Sequence, residues 1–240
     1  SRNALNFAYI LYLKLKRDLG NEPRIESWVR RWFVMSILTG RYSSSPESQM
    51  DRDIKAIQER PFADLLADVE AAELSDTFWK VGLVQALNTS TVNSPVFKAF
   101  LAAQAYLGDK GFLSKDISVR DMLNHHGDIH HVFPRNFLKK QGLSRGKYNQ
   151  VANFVYLQQE VNIKIGDKAP ADYMATIFKQ CETGEPVLGA ITNLDKLEDN
   201  LVTNCLPTEL ESYTPEKYEE FLAQRRVAMA EKICGYYWAL

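Results

Sequence analysis

The chain has 240 residues, 45% of them apolar and 25% charged, and a net charge of −1. That length supports one large soluble domain or two modest ones with a real core, and the near-neutral total leaves any nucleic-acid partner to be read from local patches. The three cysteines, Cys181, Cys205 and Cys234, include no Cys-x-x-Cys pair, which speaks against a zinc knuckle and fits three buried thiols in a reducing compartment such as the cytoplasm.

The longest apolar stretch, Phe7 to Leu13, is far too short to span a membrane, so no membrane partner is expected. The chain opens in an apolar helical run without an initiator Met and reads as the C-terminal part of something longer. Asn3 to Leu19 is apolar on most sides, which predicts a buried helix stopped by Gly20-Asn21. Ile25, Trp28, Val29, Trp32, Phe33 and Ile37 recur at helical spacing after Pro23, and Gly40 closes the run. Arg30, Arg31 and Arg41 accompany that helix; a solvated face with stems packed on the tryptophans is favoured over a phosphate-facing edge.

Arg41 to Ser48 is a loop, and Ser45-Pro46 marks the cap and first turn of a helix to Glu59. Pro61 to Ala72, Asp76 to Leu87 and Pro95 to Leu107 read as further helices, with a polar linker over Asn88 to Ser94. Gly108 to Gly111 is a turn and a candidate boundary. Ser118 caps a short helix to Asn124, Arg135 to Gln141 is another, and Gly142 to Gly146 is a loop. Tyr148 to Asn153 leads into Phe154 to Leu157, which has the aromatic and β-branched content of a short strand. Helices follow over Gln158 to Ile165 and from Pro170 to about Lys179. After a loop over Thr183 to Asn193 come Asp195 to Thr203 and Pro215 to Trp238, the last with a core stripe of Tyr218, Phe221, Leu222, Val227, Ala230, Ile233 and Tyr237.

All four histidines, His125, His126, His130 and His131, fall within seven consecutive residues. Histidine changes charge near neutral pH and ligates metals, so the segment Gly127-Asp-Ile-His-His-Val-Phe-Pro134 is the first candidate for chemistry. Between Ile129 and Gln159 there is no acidic residue, while Arg135, Lys139, Lys140, Arg145 and Lys147 are basic. In a chain of near-neutral total charge, that is a local patch suited to phosphates. Taken singly, His130 is more often a satisfied core histidine, and Asn153 and Asn162 are more often turn or cap residues. Asn162 lies nine residues after Asn153.

The run His-His-Val-Phe-Pro at 130–134, then Asn153, then Asn162 in Asn-Ile-Lys-Ile-Gly, resembles the HNH nuclease motif. It is particularly similar to the C-terminal domain of GmrSD-type modification-dependent restriction proteins, bacterial phage-defence proteins in which an N-terminal ParB-like nucleotide-binding part precedes the HNH-like part. The strong similarity covers about residues 128 to 173. A weaker one extends to the helices carrying Arg30 to Phe33 and Phe221 to Arg226.

The resemblance implies a mainly α fold, a helical bundle with an inserted ββα-metal (HNH, or His-Me finger) unit carrying a short two-stranded hairpin. The implied regions are 1–110 and 183–240, both helical, and the nuclease-like unit at 111–182. It also implies roles. His131 matches the general base and Asn153 the residue that ties the loop and orients that base. His130 and Asn162 match the metal ligands, and the metal is Mg²⁺ or, in vitro, Mn²⁺; two neutral ligands hold a hard cation weakly, which brings in Asp128 as a further ligand, directly or through water. Arg135, Lys139, Lys140, Arg145, Lys147 and Lys164 would meet DNA, of foreign or modified origin. His125 and His126 are left as loop residues. The helical portions exceed what a minimal nuclease needs, which keeps open a non-catalytic DNA-binding or interaction module; RNA cleavage would use the same site.

Overall fold

The computed structural model describes residues 1–125 and 127–240; His126, assigned to a loop from sequence, lies outside them. The chain is mainly helical with a small two-stranded antiparallel sheet. It forms two compact units, one of residues 1–83 with 233–240 and one of 84–232. The helix over 95–107, assigned from sequence to the N-terminal region, therefore belongs to the second unit.

In the first unit, α1 (Arg2–Leu19) packs on α2 (Ile25–Leu38). Gly20 ends α1 with φ 62°, a left-handed conformation that glycine adopts without steric cost. The expectation that α1 is buried on all sides does not hold. Ala4, Phe7, Ala8, Leu11 and Leu15 face the core, but Leu5 and Tyr9 on the other side are 58% and 64% exposed. One helical neighbour covers one stripe, and a helix apolar all round needs more than one.

α3 (Pro46–Glu59) and α4 (Phe62–Glu73) complete this helical set. Proline at the first helical position starts α3 where expected, although the Ser45 side chain makes no capping bond. The Asp76 to Leu87 run is not one α-helix: Phe78–Gly82 is a π-helical turn, followed by the single turn α5 (Leu83–Ala86).

The core here is aromatic, with Phe7 and Tyr42 rings 4.9 Å apart and Trp32 and Phe62 rings 5.5 Å apart. The Arg41 guanidinium stacks over Trp32 and makes a bidentate pair with buried Asp53, whose carboxylate also accepts from the Tyr42 hydroxyl at 2.7 Å. Arg30 pairs with Glu26, and Arg31 pairs with buried Glu70. These cations serve carboxylates of their own unit, in line with the non-phosphate reading of the helix.

The second unit contains α6 (Pro95–Leu107), capped by Ser94 and ended by left-handed Gly108, and α7 (Val119–Asn124), whose Ser118 and Asp121 form a capping box. Gly127 lets the chain pass α7: a Cβ there would come within 2.8 Å of the Met122 Cβ. The chain then enters β1 (Ile129–His131), the helices α8 (Arg135–Lys140) and α9 (Arg145–Tyr148), a 3-10 turn at Val151–Asn153, β2 (Phe154–Tyr156) and α10 (Gln159–Ile165). The expected loop at Gly142 to Gly146 is thus shortened by the turn of α9. α11 (Pro170–Thr183) runs one turn past its expected end, to Gly184 in the left-handed region. α12 (Leu194–Thr203) follows, and α13 (Tyr218–Trp238) supplies residues to both units. Its stripe is buried as expected except at Val227, which is 45% exposed.

Of the cysteines only Cys205 is buried, and all three are free; Cys181 and Cys234 are half-buried, contrary to the expectation of three buried thiols. No helix among the described residues is long and apolar enough to cross a membrane.

Candidate functional site at the hairpin

The strands β1 and β2 pair antiparallel with Ile129 opposite Tyr156, His130 opposite Val155 and His131 opposite Phe154. Adjacent strand residues point to opposite faces, so the two histidines have different surroundings. The His131 ring stands edge-on to Phe154, with centroids 5.0 Å apart and planes at 89°, and Tyr148 flanks it at 6.4 Å. Its Nε2 lies 2.9 Å from Oδ1 of Asn149. An imidazole that donates Nε2–H to an amide oxygen carries its basic lone pair on Nδ1.

Burial lowers the pKa of His131 below its ordinary value, the Asn149 contact opposes this, and the nearby cation Arg135 adds to the lowering. Burial thus favours the neutral form of the His131 ring, and the Asn149 contact fixes its orientation. His130 is also lowered by burial, against the opposing charge of Asp128. Its Nε2 is buried and has no hydrogen-bond partner among the described residues.

Asn153 is fully buried and bonds to the backbone on the other side of the loop. Its Oδ1 accepts from Phe133 N–H at 2.8 Å, and its Nδ2 donates to the Phe133 and Tyr148 carbonyls, both at 3.1 Å. All the hydrogen bonds of this side chain are made to main chain, and the polar contact that sets the His131 ring is made by Asn149. Asn153 thus ties the loop together through Phe133 and Tyr148, and the side chain that touches the His131 ring nitrogen is Asn149. Nothing in the sequence pattern singles out Asn149, which lies within a polar Asn-Gln pair before the 3-10 turn.

Three further side chains fasten the same backbone. Tyr173, wholly buried on α11, donates to the Val132 carbonyl at 3.0 Å. The Tyr218 hydroxyl lies 3.3 Å from both the Lys147 and Tyr148 carbonyls. Arg225 donates to the Ala152 carbonyl at 2.8 Å. The first two positions read from sequence only as apolar-stripe or helix residues.

Among the described residues, no three His, Cys, Asp or Glu side chains lie together as a metal-holding group. The donors assigned from sequence to a divalent cation are His130, Asn162 and Asp128. His130 suits the role through its buried, unpartnered Nε2. Asn162 is half-buried on α10 and its side chain makes no hydrogen bond among the described residues, which leaves an amide oxygen free. Asp128 is exposed and lines an open cleft of about 490 Å³ together with Asp121, His125, Gln158 and Glu160. His130, His131 and Asn162 do not line that cleft. By donor type alone, an imidazole nitrogen, an amide oxygen and a carboxylate suit a weakly held divalent cation.

The six expected DNA-contacting cations are all exposed, but folding divides them. Lys140 pairs with Asp167 at 3.2 Å, Lys147 with Glu219 at 3.8 Å, and Lys164 donates to the Val187 carbonyl at 3.2 Å. Arg135, Lys139 and Arg145 have no such partner among the described residues. The stretch that is free of acids in sequence is therefore not free of them in space.

No family model matches the chain, and no solved structure matches it. It is 25% identical over 165 residues to an uncharacterized protein, MJ0686, of Methanocaldococcus jannaschii. The match covers 69% of this chain and 27% of that protein, so the chain corresponds to about a quarter of its relative's length.

Proposed function

We propose that the hairpin and α10 form a ββα-metal unit of the HNH type, and that the chain is a metal-dependent DNA endonuclease region of a restriction or phage-defence protein. The observation that carries this reading is the placement of His131: an imidazole edge-on to Phe154 with Nε2 engaged by Asn149, which leaves Nδ1 as the base, in surroundings whose burial favours the neutral ring. A general base must be unprotonated at working pH and fixed in direction, and these surroundings favour both conditions.

In the proposed reaction His131 takes a proton from water at Nδ1 as the water oxygen bonds to phosphorus. The P–O bond to the sugar oxygen breaks, and solvent protonates the leaving oxygen. Asn149 holds the ring in the tautomer that the step requires, and Asn153 keeps the loop closed behind it. Arg135, close enough to disfavour protonation of His131, also faces solvent and can pair with a phosphate oxygen. Mg²⁺ or Mn²⁺, held by His130 and Asn162 with Asp128, would supply Lewis-acid stabilisation of charge on the phosphate oxygens.

The test is cleavage of supercoiled plasmid with Mg²⁺ or Mn²⁺ by wild type and His131→Ala. Nicked or linear product from wild type, reduced on the order of 10²- to 10⁴-fold in the variant, is expected for loss of a general base. Identical behaviour of the two proteins sinks the catalytic assignment. DNA binding that survives both chelator and His131→Ala, without cleavage, would instead identify a binding module.

A further inference from the structure

Arg225 is 1% exposed, and among the described residues no carboxylate pairs with it. Its Nη1 donates to the Ala152 carbonyl at 2.8 Å and its Nη2 to the Asn204 carbonyl at 3.2 Å, while its Nε is buried without a partner. Desolvation lowers its pKa to about 10, leaving it a cation at neutral pH. A guanidinium buried without a counter-charge is costly, and an apolar side chain of similar length would fill the same space at less cost. What the guanidinium does that an apolar chain cannot do is grip two carbonyls at once.

One of those carbonyls belongs to the residue before Asn153. Ala152 and Asn153 sit in the same 3-10 turn, so fixing the Ala152 peptide fixes the origin of the Asn153 side chain. Asn153 in turn bonds to Phe133, two residues after His131, and to Tyr148, the residue before Asn149. Asn149 completes the path at His131. We infer that Arg225 is a positioning residue for the His131–Asn149 pair, acting through the Ala152–Asn153 turn. This rests on the reading of His131 as the base; Arg225 touches neither substrate nor reacting atoms.

The experiment pairs two measurements on wild type, Arg225→Met and Arg225→Lys, at a temperature where circular dichroism shows each protein folded. The first is the ¹⁵N chemical-shift signature of the labelled histidines, which reports the tautomer of His131 whether or not DNA is cut. Wild type should show a single Nε2–H tautomer for His131, Arg225→Met a mixture, and Arg225→Lys, with one ammonium for one carbonyl, a partial return. The second is the single-turnover cleavage rate at saturating DNA. It should fall about 10- to 100-fold in Arg225→Met, as for loss of an outer-shell partner, with DNA affinity within about twofold and partial recovery in Arg225→Lys.

An unchanged His131 tautomer in both variants overturns the inference, as does a loss of stability alone with the rate intact. If Arg225→Met does not fold, Arg225→Lys decides by the same two readouts. Absence of cleavage by wild type would count against the nuclease reading only, since the tautomer measurement still tests what Arg225 does to His131.

Discussion

The Nε2 of His131 lies 2.9 Å from the Oδ1 of Asn149, eighteen residues further along the chain. In the proposed reaction this hydrogen bond leaves Nδ1 as the nitrogen that acts. Asn149→Ala should therefore lower cleavage by about 10- to 100-fold while leaving the fold intact, as loss of an orienting partner does. Asn149→Asp should do something different. A carboxylate beside the ring favours the imidazolium, so the acid limb of the pH–rate profile should move to higher pH. Rates measured across pH 5 to 8 for the three proteins check both outcomes.

Asn153 is expected to act on stability more than on binding. Asn153→Ala removes two buried hydrogen bonds and one partly buried one and strands the Phe133 N–H, so it should cost about 1–3 kcal/mol, the range for leaving a buried group unpaired. Urea denaturation of wild type and variant measures this directly. A change within error of zero would mean that the amide does not hold the loop.

His130 and His131 both have lowered proton affinity in the fold, chiefly from burial. The unfolded chain takes up protons at these rings near pH 6.5, where the folded chain does not. Stability should therefore be level above that pH and fall as pH drops through and below it. Denaturation midpoints collected from pH 8 to 5 should show the fall, and His131→Asn should flatten it.

The exposed cations should separate into two groups by salt dependence. Removing Arg135, Lys139 or Arg145 should weaken DNA binding and reduce the slope of log K against log salt by about 0.9 for each phosphate left without its cation. Lys140 and Lys147 already face Asp167 and Glu219, so their replacement by Ala should have smaller effects. Conversely, Asp167→Asn and Glu219→Gln should strengthen binding. Titrations of labelled duplex between 50 and 200 mM salt, roughly the range over which counterion release dominates, would distinguish the groups.

In the first unit, Asp53→Ala should be among the most damaging changes. It leaves the mostly buried Arg41 without its bidentate partner and the Tyr42 hydroxyl without its acceptor. Breaking a buried pair from one side costs about 3–5 kcal/mol, and calorimetry or urea titration would read that loss.

What the sequence determined by itself is local. The helices Pro46–Glu59 and Pro95–Leu107 have the ends read for them, because proline sets the first turn and does so with its own ring. Ser118 caps its helix through Asp121 three residues on, and Gly20 and Gly108 end theirs through backbone conformations available to glycine. The second strand is legible too, from the β-branched and aromatic residues at Phe154 to Tyr156. Only the tertiary structure decided who meets whom. Periodicity cannot choose Asn149 over Asn153 as the partner of His131, nor bring Arg225 to Ala152 across 73 residues. Nor can it bring Asp167 and Glu219 onto an acid-free stretch, or show that one side of α1 stays uncovered. Those outcomes depend on which elements pack together, and packing is settled by the shape and burial of the whole unit, not by the spacing of residues within one segment.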